Sequence, residues 1–120
     1  MEIHAVNGIA GLVPLLKPGN NQTPGVILVG SGTCPSCQTL HEEVKQATQP
    51  ASFKLYAIDV DAYAEPALNI ALRDILRPLG IEYLPSQILL PANGKPKVIC
   101  KFNLPEIKQE LAKLQNRVAV

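Results

Sequence analysis

The 120-residue sequence has no tryptophan, only two phenylalanines, a single methionine and three cysteines. So few cysteines exclude a scaffold held together by disulfides, and a core of this size needs no such staples. Excess charge is missing too. Eleven Lys and Arg stand against ten Asp and Glu, for a net charge of +1. With no basic block and no interleaving of basic and aromatic residues, nucleic acid is not an expected partner. The longest apolar runs, GVILVG and QILLPA, fall far short of a membrane span, so no membrane association is expected. Glu2 and the lack of any Lys or Arg before Lys17 argue against a secretory leader. The expected compartment is therefore the cytoplasm, unless Met1 replaces a removed leader. Internal repeats and low-complexity tracts are absent as well.

What is present suits one soluble globular domain spanning residues 1–120: 47% hydrophobic residues and 18% charged ones. Residues 1–24 divide into EIHAV, a short strand, and GIAGLVPLLK, a weak helix expected to be cut by Pro14. A turn-rich linker, PGNNQTPG, follows. VILVGS is a short, β-branched, continuous apolar run bounded by glycine, the pattern of a buried strand. From Cys34 to about Gln49 the pattern becomes helical, with Leu40, Val44 and Ala47 as its apolar stripe and Pro50 as its stop. SFKLYAIDV alternates as a strand. AEPALNIALRDILRPLG has helical spacing at Leu68, Ala71, Leu72, Ile75 and Leu76, with Gly80 as terminator. SQILLPA and KPKVICKF flank Asn93-Gly94, a strong hairpin signal, and Cys100 is expected inside the second of these strands as a buried, hydrophobe-like thiol. LPEIKQELAKLQNRV is an amphipathic helix with Ile107, Leu111 and Leu114 on one face.

The order β-α-β-α-β-α-β-β-α predicts an α/β fold. Its central sheet of four to five strands is mixed, because helical crossovers impose parallel pairing and the hairpin adds an antiparallel strand. Helices are expected on both faces.

The chemistry concentrates in GSGTCPSCQTLHEE, residues 30–43. Cys34 falls where a strand ends and a helix begins, so unpaired backbone N–H groups and the positive end of the helix favour its thiolate. Pro35 suits the first helical position, having no N–H to leave unpaired. Cys37 lies one turn on and faces back toward Cys34. That spacing lets Cys34 attack a disulfide and Cys37 resolve the resulting mixed disulfide, while Ser36 can offer a hydroxyl. A metal site competes with this reading. Cys34, Cys37 and His41 could share one helix face, with a fourth ligand drawn from Cys100, His4 or Asp59. Proton transfer could fall to Glu43, Asp59, His41 or water. Asp59 and Asp61 end the third strand at the same sheet edge as Cys34 if those strands are parallel.

Over about residues 25–116 the sequence resembles the thioredoxin superfamily. GVILVG, CPSC at its end, YLPSQILLPANGKPKVICKF and the final amphipathic helix carry the resemblance. It implies the thioredoxin fold and a protein disulfide oxidoreductase with Cys34 as nucleophile and Cys37 as resolving residue. It also implies that Leu84–Pro85 is cis, with the Leu84 backbone pairing to a bound chain and Thr33, Pro35 and Ser36 bordering the substrate. Partners would be a protein substrate carrying a disulfide or dithiol, and a reductase or oxidase that recycles the pair. The chain is expected to be monomeric, with neither metal nor organic cofactor. Three features depart from thioredoxins proper: Thr33 replaces the Trp before the first cysteine, Pro35-Ser36 replaces Gly-Pro, and Leu28 replaces the buried acid. Glu42 stands where a proline kinks the active-site helix, and the longer Asp59–Pro85 segment suggests an extended third helix. These departures leave two alternatives, a thioredoxin-fold binding or scaffold module for one partner and a Cys/His metal-binding domain.

Overall fold

The computed structural model describes residues 2–6, 8–18, 22–47, 53–62 and 70–118. In chain order the elements begin with β1 (Ile3–Ala5), α1 (Gly8–Leu16), β2 (Gly25–Gly30), α2 (Pro35–Gln46) and β3 (Lys54–Asp59). A 3₁₀ turn, Val60–Ala62, and a π-helical stretch, Ile70–Leu76, lead into α3 (Arg77–Leu79). The chain ends with β4 (Ser86–Leu90), β5 (Lys97–Ile99) and α4 (Leu104–Val118).

The strands form one sheet in the order β1-β3-β2-β4-β5. β3 runs parallel to both β1 and β2, whereas β4 is antiparallel to β2 and to β5. This is the mixed α/β sheet expected from the order of elements. β2 lies at its centre, and Val26, Ile27, Leu28 and Val29 are all buried. That explains a continuous apolar run where a half-exposed strand would alternate. Side-chain alternation still sorts the core into two halves. Val26 and Leu28 meet Leu40 and Val44 of α2 and Ile107 and Leu111 of α4 on one face. Ile27 and Val29 meet Leu12 of α1 and Leu76 on the other.

Local differences from the sequence reading have identifiable causes. Helix α1 runs through Pro14 and is not cut by it. An interior proline costs about 3 kcal/mol. Full burial of Leu12 offsets about 1.5–3 kcal/mol of that, and Leu15 and Leu16 pack against the same cluster. Helix α2 ends at Gln46, because Ala47 is already extended (φ −64°, ψ 128°). Gln49 and Pro50 lie outside the described residues. So do Leu68, the first apolar position expected of the third helix, and the side chains of Ala71 and Leu72. What is described of that helix is π-helical before its last turn. It stops at Gly80 (φ 107°), whose N–H bonds the Arg77 carbonyl while the Ile81 N–H bonds that of Leu76. This is a Schellman cap, which favours glycine because the left-handed conformation carries no Cβ penalty there.

The hairpin at Asn93-Gly94 forms, with Asn93 at φ 60°, but its loop spans six residues from Pro91 to Pro96. Prolines at both ends cannot donate to the ladder, so pairing starts only at Lys97. β5 is correspondingly short. Cys100 lies just past its end and is exposed, which corrects the expectation of a buried strand residue. The ladder stops there because the fully buried Gln87 side chain takes over, accepting the Lys101 N–H at 2.9 Å and donating to the Lys101 carbonyl at 2.9 Å. Helix α4 spans the expected residues and is capped by two side chains. Asn103 Oδ1 accepts the Glu106 N–H (3.0 Å), and Glu43 Oε1 accepts that of Leu104 (2.7 Å). Among the described residues no helix is long and apolar enough to cross a membrane.

Candidate active site

The site begins where β2 hands over to α2. A turn closed by Cys34 N–H to Ser31 O (3.1 Å) leads into Cys34, the N-cap, whose backbone is extended (φ −98°, ψ 109°). Pro35 occupies the first helical position, and the Gln38 N–H to the Cys34 carbonyl (3.1 Å) is the first helical hydrogen bond. The Cys34 sulfur accepts the Cys37 N–H at 3.3 Å. A backbone donor that would otherwise be unpaired at the helix start is thereby aimed at the half-buried thiol. An anion at that sulfur is stabilised both by the donor and by the helix end.

Cys37, one turn further in, is 8% exposed. It packs onto Gly30, where an added Cβ would stand 3.0 Å from the Cys37 Cβ and 3.3 Å from its sulfur. A side chain at 30 would press on the space the sulfur occupies, so Cys37 would have to give way slightly to admit one. Burial, and then the hydrogen bond to Cys34, push the Cys37 thiol from 9.0 up to about 11. Both cysteines are free thiols. One is therefore open and served by a backbone donor, while the other is covered and held protonated.

The loop before Cys34 is tied to the 3₁₀ turn that follows β3. Ser31 Oγ donates to Asp61 Oδ2, shares a hydrogen bond with Thr33 Oγ1 (2.8 Å) and accepts the Thr33 N–H (3.2 Å). These contacts, led by the Ser31 hydroxyl, hold the Asp61 carboxyl below its usual range. The Ser31–Asp61 link escaped the sequence reading. Its signal was the length match between β2 and β3, since in-register parallel pairing puts Asp59 beside Gly30.

Thr33, Pro35 and Ser36 are exposed around Cys34. The Leu84–Pro85 peptide bond is cis. Pro85 is buried and precedes β4, which pairs with β2 through Ser86–Val29 and Gln87–Leu28. Leu84 is half-buried beside it, and Tyr83 is 73% exposed, so its ring is not packed against the strand edge. The exposed Cys100 thiol donates to the Pro85 carbonyl at 3.1 Å.

A cavity of about 370 Å³ lies beside Cys37, lined by Leu28, Gly30, Cys37, His41, Asp59 and Pro85 among others. Of the residues considered for proton transfer, His41 and Asp59 line this cavity together with Cys37, whereas Glu43 is committed to the α4 cap. Among the described residues no group of three His, Cys, Asp or Glu side chains is placed to hold a metal ion. Chemically, the arrangement offers an accessible sulfur nucleophile with a second thiol one turn away, the latter lining one cavity with a cis-proline.

No protein-family model matches the sequence, and no curated protein matches it either. Solved structures do. Chloroplastic thioredoxin z superposes with a TM-score of 0.70 at 18% identity, covering 97% of this chain and 96% of that one. Thioredoxin O2 from Arabidopsis thaliana, in its oxidized state, gives 0.67 at 16% identity, covering 94% of each chain. An N21Q mutant thioredoxin from Halobacterium salinarum gives 0.64 at 16% identity, covering 92% of this chain and 87% of that one. At such identities the likeness concerns architecture: this chain has the thioredoxin fold, with the Cys34/Cys37 pair at the end of its central strand.

Proposed function

We propose that this protein is a thiol–disulfide oxidoreductase acting on protein disulfides. The observation that carries the reading is the asymmetry of the pair, an accessible Cys34 sulfur accepting the Cys37 N–H and a covered Cys37 one turn behind it. In the reductive direction the Cys34 thiolate attacks one sulfur of the substrate disulfide. A Cys34–substrate disulfide forms and the other substrate sulfur leaves as a thiolate. Cys37, once deprotonated, attacks the Cys34 sulfur, closes the Cys34–Cys37 disulfide and expels the second substrate thiolate. Two electrons pass from the pair to the substrate, and a reductase returns them. Run backward, the same steps oxidise a substrate dithiol, and an oxidase would then recycle the pair.

Thr33, Pro35 and Ser36 border the approach to Cys34, and the Leu84 backbone beside cis-Pro85 is where an extended substrate segment would pair. The exposed ring of Tyr83 adds apolar surface at that edge.

The test uses purified protein and a disulfide-bonded protein substrate. Wild type should interconvert between dithiol and intramolecular disulfide. Cys34→Ser should abolish turnover, and Cys37→Ser should accumulate a mixed disulfide through Cys34. A native protein whose Cys34 ignores thiol reagents, or wild-type and Cys34→Ser proteins of equal activity, would sink the reading.

A further inference from the structure

Closure of the disulfide requires the Cys37 sulfur as a thiolate, yet this is the covered sulfur of the pair, pressed onto Gly30. In the dithiol form its thiol is held up to about 11, first of all by burial, and that burial persists when Cys34 is tied to substrate. A positioned base would remove that bottleneck, and its place is restricted to groups bordering the cavity beside Cys37. Leu28 and Ala57 contribute only apolar surface to it.

Two groups are placed to act. His41 is four residues after Cys37 on α2, so both side chains emerge from the same helix face. It is half-buried and lines the cavity with Cys37. Asp59 enters from the sheet side. It is the register partner of Gly30, the residue on which Cys37 rests, and adjacent strands lie about 4.8 Å apart. Alternation along β3 puts Asp59 on the same face as Leu55 and Ala57, which pack in the core half containing α2. Its Oδ1 accepts the Asp61 N–H at 2.9 Å, and its Oδ2 lies 3.8 Å from where a Cβ on Gly32 would stand. The cavity has ample room for bridging water, with Ser31 and Ser86 as further polar lining.

We propose that His41 and Asp59 carry the proton of the resolving step, His41 accepting it from Cys37, directly or through one water, while the Asp59 carboxylate stabilises the imidazolium. The S–H bond of Cys37 breaks as the imidazole N–H forms. The sulfur's electron pair then makes the bond to Cys34, and the departing substrate thiolate is protonated by the imidazolium or by solvent. Imidazole suits the role because its proton exchange falls near neutral pH.

The other ionisable groups around this path have different placements. Glu42 also lines the cavity, but its carboxylate is largely exposed and turned to Lys45 at 3.8 Å, and Asp61 is engaged by Ser31. Cys34 is the sulfur under attack. Helix α4 brings Lys108 to the groove beside Glu43 and Gln46. β2 and β4 present no ionisable side chain to the cavity.

The inference rests on the oxidoreductase reading, so its test separates the two steps of disulfide exchange. Reduced protein is mixed with dithiobis(nitrobenzoate) in stopped flow, in a Cys100→Ser background because the exposed Cys100 thiol would also react. Attack by Cys34 releases the first nitrothiobenzoate and serves as the reference phase. Displacement by Cys37 releases the second. His41→Gln should slow the second phase about a hundredfold at neutral pH, the low end of general-base contributions. Its rate should then climb about tenfold per pH unit as hydroxide replaces the lost base, a steeper slope than the wild type's. Asp59→Asn should slow the same phase by a smaller factor, and free imidazole should restore the rate of His41→Ala. Second phases in His41→Gln and Asp59→Asn that match wild type in rate and pH slope would overturn the proposal while leaving the oxidoreductase reading intact. A wild-type protein with a first phase and no second would overturn both.

Discussion

The protonated state of Cys37 makes the reduced protein's stability depend on alkaline pH in a way the oxidised protein's cannot. In the folded dithiol form the thiol is raised from 9.0 to about 11, by burial and then by the Cys34 hydrogen bond. The folded state therefore holds this proton more tightly than the unfolded chain does. Stability from the protonated thiol is fully present below pH 9.0, declines above it, and is lost as pH rises through about 11. A two-unit gap corresponds to at most about 2.7 kcal/mol, of which about 1.4 kcal/mol is gone by roughly pH 10. With a urea m-value of about 1–3 kcal/mol per molar, the full effect lowers the unfolding midpoint by roughly 1–3 M. The assay is urea denaturation of reduced protein, oxidised protein and reduced Cys37→Ala from about pH 8 to about pH 12. Lysines and tyrosines titrate in all three samples, so subtraction isolates the thiol. Cys37→Ala should show a constant offset from the lost sulfur and no extra alkaline slope. Equal alkaline slopes in reduced wild type and reduced Cys37→Ala would refute the claim that folding holds the Cys37 proton.

Three further substitutions probe the supports of the site. Gly30→Ala puts a methyl group 3.0 Å from the Cys37 Cβ and 3.3 Å from its sulfur. Overpacking of that kind costs about 1–3 kcal/mol, against about 0.4–1 kcal/mol from removing glycine's freedom in the unfolded chain. A net loss in urea denaturation is expected, and a more stable variant would show that Cys37 can shift freely. Gln87→Leu keeps the volume but leaves the Lys101 N–H and carbonyl without their side-chain partner. A loss of about 1–3 kcal/mol should follow, with faster hydrogen exchange at Lys101 as the local signature. Asp61→Asn leaves an amide oxygen to accept from Ser31 and Thr33 but removes the carboxylate charge and its titration. Because folding depresses the Asp61 carboxyl, its contribution is present above pH 3.8 and lost as pH falls through the lower folded value. The variant should therefore lack that part of the wild-type acid limb when thermal midpoints are compared between about pH 2 and pH 5.

Strand and helix identities were legible because each segment carried one dominant signal. The apolar run of β2 could only be buried on both faces, and the periodicity of α4, framed by Leu104 and Val118, matched its observed span. Boundaries failed where a tertiary contact overruled a local rule. Pro14 is tolerated because Leu12 is anchored in the sheet's far face, and no periodicity count reveals how deep one leucine sits. β5 ends before Cys100 because a glutamine from the neighbouring strand substitutes for the ladder at Lys101. Nothing in KPKVICKF encodes that partner, which lies 14 residues upstream at Gln87.

The cysteine pair shows the same division at atomic scale. Spacing alone places Cys34 at a helix start and Cys37 one turn later, and spacing alone would treat their sulfurs as similar. They differ because a helix start is directional. Its free N–H groups point outward, toward the N-cap side chain, so Cys34 receives the Cys37 N–H, whereas the first turn's inward face is pressed onto the sheet. What Cys37 meets there depends on the residue that ends β2. A side chain at position 30 would crowd Cys37 and oblige it to shift. Glycine lets the helix settle until the sulfur lies 3.3 Å from the absent Cβ position. The single glycine before the loop therefore sets the exposure of the resolving thiol. Asp59, beside that glycine in the next strand, is thereby brought to the edge of the same cavity.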